Sequence, residues 1–238
     1  MPSGVQLREI ARLTRGEVVG INIGSAFPSE AAKATAGSRV ALVNMSGTSL
    51  DFDDDSFDMV ISANVLEHVP EPLAFIREAH RVTRASGICY METAPVWTSA
   101  KGHHVMKCMV AENCPWEERF CDNGSIIPDW SHLSHSRVEM EREIGDKVDP
   151  RTREWILQYL YDSNDLNKVP WRMVRKAFTD LFPFPRIQEN KLAATQDFLM
   201  PEDDLDNYSV CGFNAICRKR RQSPISKRVY WRLRRLGL

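Results

Sequence analysis

Leu50 to Gly87 reads LDFDDDSFDMVISANVLEHVPEPLAFIREAHRVTRASG, and the fold follows from how its hydrophobic pattern changes along the way. DFDDDS is acidic and turn-rich, whereas FDMVIS, Phe57 to Ser62, is a short apolar run that suits a buried strand. From Pro70 to Ala85 the spacing of Leu73, Ile76, Ala79 and Val82 predicts an amphipathic helix, with Gly87 as its stop. Ile88 to Thr93 then reads as a further strand. Strand, helix and strand at this spacing make a βαβ unit, which implies parallel strands and a right-handed crossover.

Upstream, the same alternation continues. VQLREIARL, Val5 to Leu13, puts Leu7, Ile10, Ala11 and Leu13 near one helical face, and Gly16 ends that helix. VVGINI, Val18 to Ile23, is β-rich and bounded by Gly16 and Gly24. SEAAKATA, Ser29 to Ala36, has a capping serine followed by strong helix formers, and RVALV, Arg39 to Val43, reads as a strand. The pattern from Val5 to Thr93 is that of an α/β doubly wound fold with a mostly parallel sheet covered on both faces. Downstream the rhythm changes. Residues 94–182 form a Trp-rich, polar segment with helical pieces at Arg151 to Tyr161 and Trp171 to Phe182, read as an insertion or cap. RIQENKL near Arg186 and VCGFNAICRK from Val210 return to strand character and suit an antiparallel pair at the sheet edge.

With 238 residues, 43% hydrophobic and 26% charged, the chain is long enough for one sizeable core, taken as a single domain over 1–217. No apolar run reaches the roughly 18 residues that span a bilayer, and MPSGVQLREI lacks the apolar stretch of a secretory signal, so a cytoplasmic protein is expected. The six cysteines are read as free thiols, since a core of this size needs no disulfide framework. Residues 218–238 hold nine Lys and Arg and no Asp or Glu, so the rest of the chain carries about −10 against a total of −1. Such a tail suits contact with an anionic surface, or it is a solvated terminal helix. It contains no defined nucleic-acid motif.

The ordered set VVGINI, RVALVNMSGTSL and Leu50 to Gly87 resembles class I S-adenosylmethionine-dependent methyltransferases, of the type 11 group. The resemblance implies a Rossmann-like sheet, S-adenosyl-L-methionine as cofactor and methyl transfer to a small-molecule, lipid or glycan acceptor chosen by residues 94–182. It places Asn22 beside the ribose, where the family usually has Asp or Glu. Ser46, Gly47 and Thr48 fall in the loop that holds the adenine, and Ala63 and Asn64 beside the methyl donor. It also implies that the family's first strand and most of its glycine-rich loop lie upstream of Met1, with Gly4 as the loop's last glycine. That strand would sit centrally, so the VVGINI and FDMVIS strands are expected to show open edges. Asn22 and Ser46, which lack the usual carboxylates, support a second reading, a non-catalytic methyltransferase-like module that packs against a partner.

Three histidines are candidates for the chemistry. His68 is placed as a general base on an acceptor, since an imidazole titrates near neutral pH; alternatively Glu67 and His68 cap the helix that begins at Pro70. His103 and His104 follow the last parallel strand, either facing the acceptor or serving packing and surface roles. Cys108, Cys114 and Cys121 stand near them, but their spacing lacks the C-x2-C knuckle of common zinc sites, and no metal is expected. Trp97, Trp116, Trp130, Trp155, Tyr159, Tyr161 and Trp171 build either an acceptor wall or, at helical spacing, core. His132 and His135 are expected at the surface.

Overall fold

The computed structural model describes residues 4–24, 29–107, 124–192 and 204–220. Its first unit is α1 (Gly4–Thr14), β1 (Val18–Asn22), α2 (Ser29–Thr35) and β2 (Val40–Asn44), the four elements read from the sequence. β1 and β2 pair in parallel, Val18 opposite Val40 and Asn22 opposite Asn44. Gly20 lets α1 lie close on this ribbon, because a Cβ there would stand 2.6 Å from Leu7 Cδ1. Arg39 ties the far end of α1 to the start of β2 by donating to the Ala11 carbonyl at 3.1 Å.

The second sheet contains β3 (Phe57–Ala63), β4 (Thr83–Thr93), β5 (Arg186–Lys191) and β6 (Val210–Arg218), in the order β3-β4-β6-β5. β3 and β4 are parallel and joined by α3 (Pro72–Val82), which is the βαβ unit expected from Leu50 to Gly87. β6 runs antiparallel between β4 and β5, so the C-terminal hairpin forms as read. Among the described residues β1 pairs only with β2, and β3 only with β4. Among the described residues each of these strands thus has an unpaired edge, and Met59 and Ile61 on β3 are 46% and 45% exposed.

α3 stops at Val82, three residues short of its expected end. Thr83 turns to extended backbone, and its hydroxyl donates to the Ala79 carbonyl at 2.6 Å. Ser86 adopts φ 72°, and its N–H donates to the Lys219 carbonyl at 2.8 Å. The chain beyond Arg218 thus draws this stretch into the sheet. Lys219 also donates to the Arg81 carbonyl at 3.0 Å and pairs with Asp55 at 2.9 Å. Arg218 lies opposite Ile88. The fold therefore uses Arg218 and Lys219, which the sequence assigns to a tail, while the basic stretch 221–238 lies outside the described residues.

The main core forms where α3 and α7 (Trp171–Leu181) cover the four-stranded sheet, with Ile76, Met91, Trp171, Phe178 and Phe213 at most 2% exposed. A second apolar cluster joins Val105 and Ile127 to α5 (Arg137–Ile144), α6 (Pro150–Leu157) and the π turn Gln158–Asp162. α4 (Ser131–Ser134) precedes it, and α8 (Leu205–Ser209) leads into β6. Residues 94–182 thus divide between a helical body with its own core and a helix that seals the sheet. Trp155, expected in the core with Tyr159, is instead 45% exposed and stacks on the Tyr159 ring at 5.2 Å. Trp130 and Trp171 are buried, and Trp116 lies outside the described residues.

Cys89, Cys211 and Cys217 are free, and burial pushes the Cys217 thiol up to about 12. Cys108, Cys114 and Cys121 lie outside the described residues. Among the described residues no helix is long and apolar enough to cross a membrane.

Candidate functional site

β3 ends at Ala63, and the chain turns at Asn64, whose left-handed φ of 50° suits asparagine. The Asn64 N–H donates to the Glu92 carbonyl at 2.9 Å, which fixes the turn against β4. A 3-10 turn, Leu66–His68, follows. Leu66 enters the main core and Glu67 is buried with it. The Glu67 carboxylate accepts from the Thr93 hydroxyl at the end of β4. Burial raises the Glu67 pKa, and the Thr93 hydroxyl opposes that rise.

The segment after the π turn locks this structure from outside. Asn167 donates twice: its N–H to the Glu67 carbonyl at 2.9 Å and its side-chain amide to the Leu66 carbonyl at 2.5 Å. His68 Nδ1 lies 2.9 Å from the Asp165 carbonyl. The capping role open to Glu67 and His68 is therefore overturned. α3 begins two residues later than expected, Glu71 occupies its N-cap position, and no side chain caps it.

His103 and His104 stand on the loop after β4. Gly102 turns that loop so tightly that a Cβ would lie 2.1 Å from the Trp97 carbonyl oxygen. His103 is fully buried, its Nδ1 accepting from the Val105 N–H at 2.8 Å and its Nε2 3.3 Å from Ser125 Oγ. Both nitrogens have protein partners, so the expected contact between His103 and an acceptor gives way to a packing role. His104 differs. It is buried with φ 57°, its Nδ1 lies 2.8 Å from the Gly102 carbonyl, and its Nε2 has no hydrogen-bond partner. Its ring lies 5.4 Å from that of His68. The structure thus brings Glu67, His68 and His104 together from two loops, with one ligand atom of each within 4.8 Å of the others.

Burial drives the pKa of His104 down to about 4 and that of His103 well below the usual range, because a cation there loses its hydration. His132 follows the same rule and falls to about 4. This corrects the expectation of a surface His132: it is 6% exposed, packs against the Trp97 and His103 rings, and its Nε2 lies 2.8 Å from the Trp97 carbonyl.

The residues expected near the cofactor lie at or after the carboxyl ends of the parallel strands, except Gly4. Asn22 ends β1 opposite Asn44, and the loop from Ser46 follows β2. The Ser46 and Thr48 hydroxyls are 2.8 Å apart and bond each other. Gly47 is required for packing, since a Cβ there would meet Phe75 Cε2 of α3 at 2.3 Å. Gly4 is required for the same kind of reason, because a Cβ would stand 2.5 Å from the Ala31 carbonyl oxygen of α2. Ala63 and Asn64 are exposed, and Gly24, just past β1 with φ 129°, has open space where a side chain would stand.

Sequence reading missed Thr93, Gly102, Asp165 and Asn167. Thr93 was legible as the last residue of a strand; Gly102 acts through the backbone of its own loop at Trp97, and Asp165 and Asn167 act on residues 97 and 101 positions away.

The polar residues Asn22, Ser46 and Asn64 stand at or just outside the carboxyl ends of the strands, the side on which open α/β sheets bind their ligands. Residues 2–91 match the family model described as a methyltransferase domain. Through that stretch the chain is similar to methyltransferase domains. An uncharacterized methyltransferase from Mycobacterium sp. strain JLS is 45% identical over 64 residues, which are 27% of this chain and 25% of that protein. One from Mycobacterium marinum is 42% identical over 76 residues, 32% of this chain and 29% of that protein. The match thus spans a quarter to a third of each relative's length. Among solved structures, one concerned with converting a disulfide bond into a thioacetal group during echinomycin biosynthesis has a TM-score of 0.50 at 14% identity, covering 96% of this chain and 76% of that one. That likeness shows the fold.

Proposed function

We propose that the chain transfers a methyl group from S-adenosylmethionine to a small-molecule, lipid or glycan acceptor. The observation that carries this reading is the placement of Asn22, Ser46 and Asn64 at or just after the carboxyl ends of β1, β2 and β3, with the Glu67, His68 and His104 cluster on the loops after β3 and β4. These residues fit a nucleoside-type cofactor: Asn22 offers an amide for ribose hydroxyls, Ser46 and Thr48 keep lone pairs free for an adenine amine, and Asn64 is exposed at the turn. When bound, the cofactor supplies a methyl group already activated on a sulfonium, so no protein nucleophile is needed. The chain's own work is to hold donor and acceptor in line and to exclude water. The acceptor's proton is handled at the cluster, where His68 is the exposed imidazole and Glu67 and His104 are buried beside it. The segment 94–182 selects the acceptor.

A second reading, a non-catalytic module, is favoured by one observation: among the described residues β1 and β3 are not hydrogen-bonded to each other, so the cofactor residues are divided between two sheets. Calorimetry separates the two. Saturable binding of S-adenosylmethionine supports the transferase, and its absence supports the module. In a transferase, His68→Ala lowers turnover at least tenfold while leaving cofactor affinity within twofold; a parallel loss of cofactor affinity would place His68 in the cofactor shell instead.

A further inference from the structure

The Glu67, His68 and His104 cluster has the chemistry of a cation site. A backbone carbonyl can only accept a hydrogen bond, so the contacts of His68 Nδ1 with Asp165 and of His104 Nδ1 with Gly102 each put the ring proton on Nδ1. Both rings are thereby left with a lone pair on Nε2. At His104 that lone pair is buried and meets no protein donor, a costly arrangement in an apolar interior unless something else takes it up. Glu67 is a buried carboxylate held by the Thr93 hydroxyl. Histidines oriented by carbonyls through Nδ1, and a carboxylate held by a hydroxyl, are the outer contacts that metal-binding side chains commonly have.

We propose that Glu67, His68 and His104 bind one divalent transition-metal ion of the zinc class, each through a single ligand atom. The ligand atoms lie within 4.8 Å of one another. Around zinc, bonds of about 2.0–2.2 Å put tetrahedral ligand atoms roughly 3.4 Å apart. The difference is a small inward movement, and His68, exposed on its 3-10 turn, is the ligand free to make it. Three protein ligands leave at least one coordination position open. The cluster's thiol-free composition separates this site from any site on Cys108, Cys114 and Cys121. If the methyl-transfer reading holds, a bound ion would supply Lewis acidity for an acceptor hydroxyl or amine, with His68 as ligand; the binding of the ion does not rest on that reading.

The test uses the full chain, titrated with zinc by calorimetry and with cobalt(II) by visible absorption, in the absence of cofactor and acceptor. One ion per chain is expected, with cobalt spectra of nitrogen and oxygen ligation. His68→Ala, on an exposed side chain, should weaken binding at least tenfold with an unchanged far-ultraviolet circular dichroism spectrum. Glu67→Gln, which keeps the side chain's shape, should do the same, so the proposal does not depend on a His104 variant that fails to fold. Absence of saturable zinc binding, affinity in His68→Ala equal to the parent, or an intense sulfur-to-cobalt charge-transfer band would each overturn it. Failure to bind S-adenosylmethionine with zinc binding intact would overturn only the methyl-transfer reading.

Discussion

At the scale of single residues, glycine decides where the histidines after β4 can stand. Gly102 has the backbone of Trp97 and Val96 where a Cβ would be, with the Trp97 carbonyl oxygen at 2.1 Å. Backbone cannot swing aside as a side-chain tip can, so Gly102→Ala must displace the loop that carries His103 and His104. The expected loss is about 1–3 kcal/mol of unfolding free energy, the usual cost of overpacking. Gly16 is the contrast: its nearest neighbour to a new Cβ is the Thr14 hydroxyl at 3.4 Å, so Gly16→Ala should change stability by less than about 0.5 kcal/mol. Urea denaturation of the two variants compares them directly, and equal losses would refute the steric account. His132 shows why such residues escape a reading of the sequence. Its neighbours Trp97 and His103 are 35 and 29 positions away, so no local spacing announces that it is buried.

At the scale of elements, the acidic stretch before β3 is held by α3. Arg81 donates to the Phe52 carbonyl at 2.7 Å and to the Leu50 carbonyl at 2.8 Å, while Glu78 receives both Arg81 Nε at 2.8 Å and the Leu50 N–H at 2.8 Å. The fork geometry of a guanidinium serves several acceptors at once, which an ammonium cannot do. Arg81→Lys should therefore cost about 1–2 kcal/mol although the charge is kept, the Arg81 side chain being 30% exposed and partly screened. Asp54, 73% exposed, pairs with the same arginine, and Asp54→Asn should cost less than about 0.5 kcal/mol. If Asp54→Asn costs as much as Arg81→Lys in chemical denaturation, the ion pair rather than the carbonyl contacts holds the loop. The elements themselves were legible from Val5 to Thr93 because each strand is a short apolar run and each helix has one apolar face. The end of α3 was not legible, because Thr83 to Gly87 is drawn into the sheet by Lys219, far along the chain.

At the scale of the whole molecule, the order β3-β4-β6-β5 beside a separate β1-β2 ribbon was foreseeable as two open edges, whereas the contact between the loops after β3 and β4 was not. Beside that contact, α4 packs His132 against Trp97 and His103, so His103, His104 and His132 are all buried, and the acid stability of the protein follows from that burial. Burial lowers the pKa of all three. Each therefore stays neutral in the folded chain while it takes up a proton in the unfolded chain near pH 6.5. Unfolding then binds protons, so stability falls as the pH drops from about 6.5 toward 4. For His132, with a folded value of about 4, the full loss is about 3 kcal/mol at roughly 1.36 kcal/mol per unit. Glu67 acts in the opposite sense: its raised pKa costs stability at neutral pH and relieves that cost on acidification, which offsets part of the decline. Urea denaturation between pH 7.5 and 4.5, with chelator present, should show the decline beginning near pH 6.5 rather than at the carboxylate range. His132→Gln removes a proton-binding group while keeping a donor for the Trp97 carbonyl, so its stability should depend less steeply on pH over the same interval. A parent profile flat down to pH 5, or a slope unchanged in His132→Gln, would show that the buried histidines do not control the acid transition.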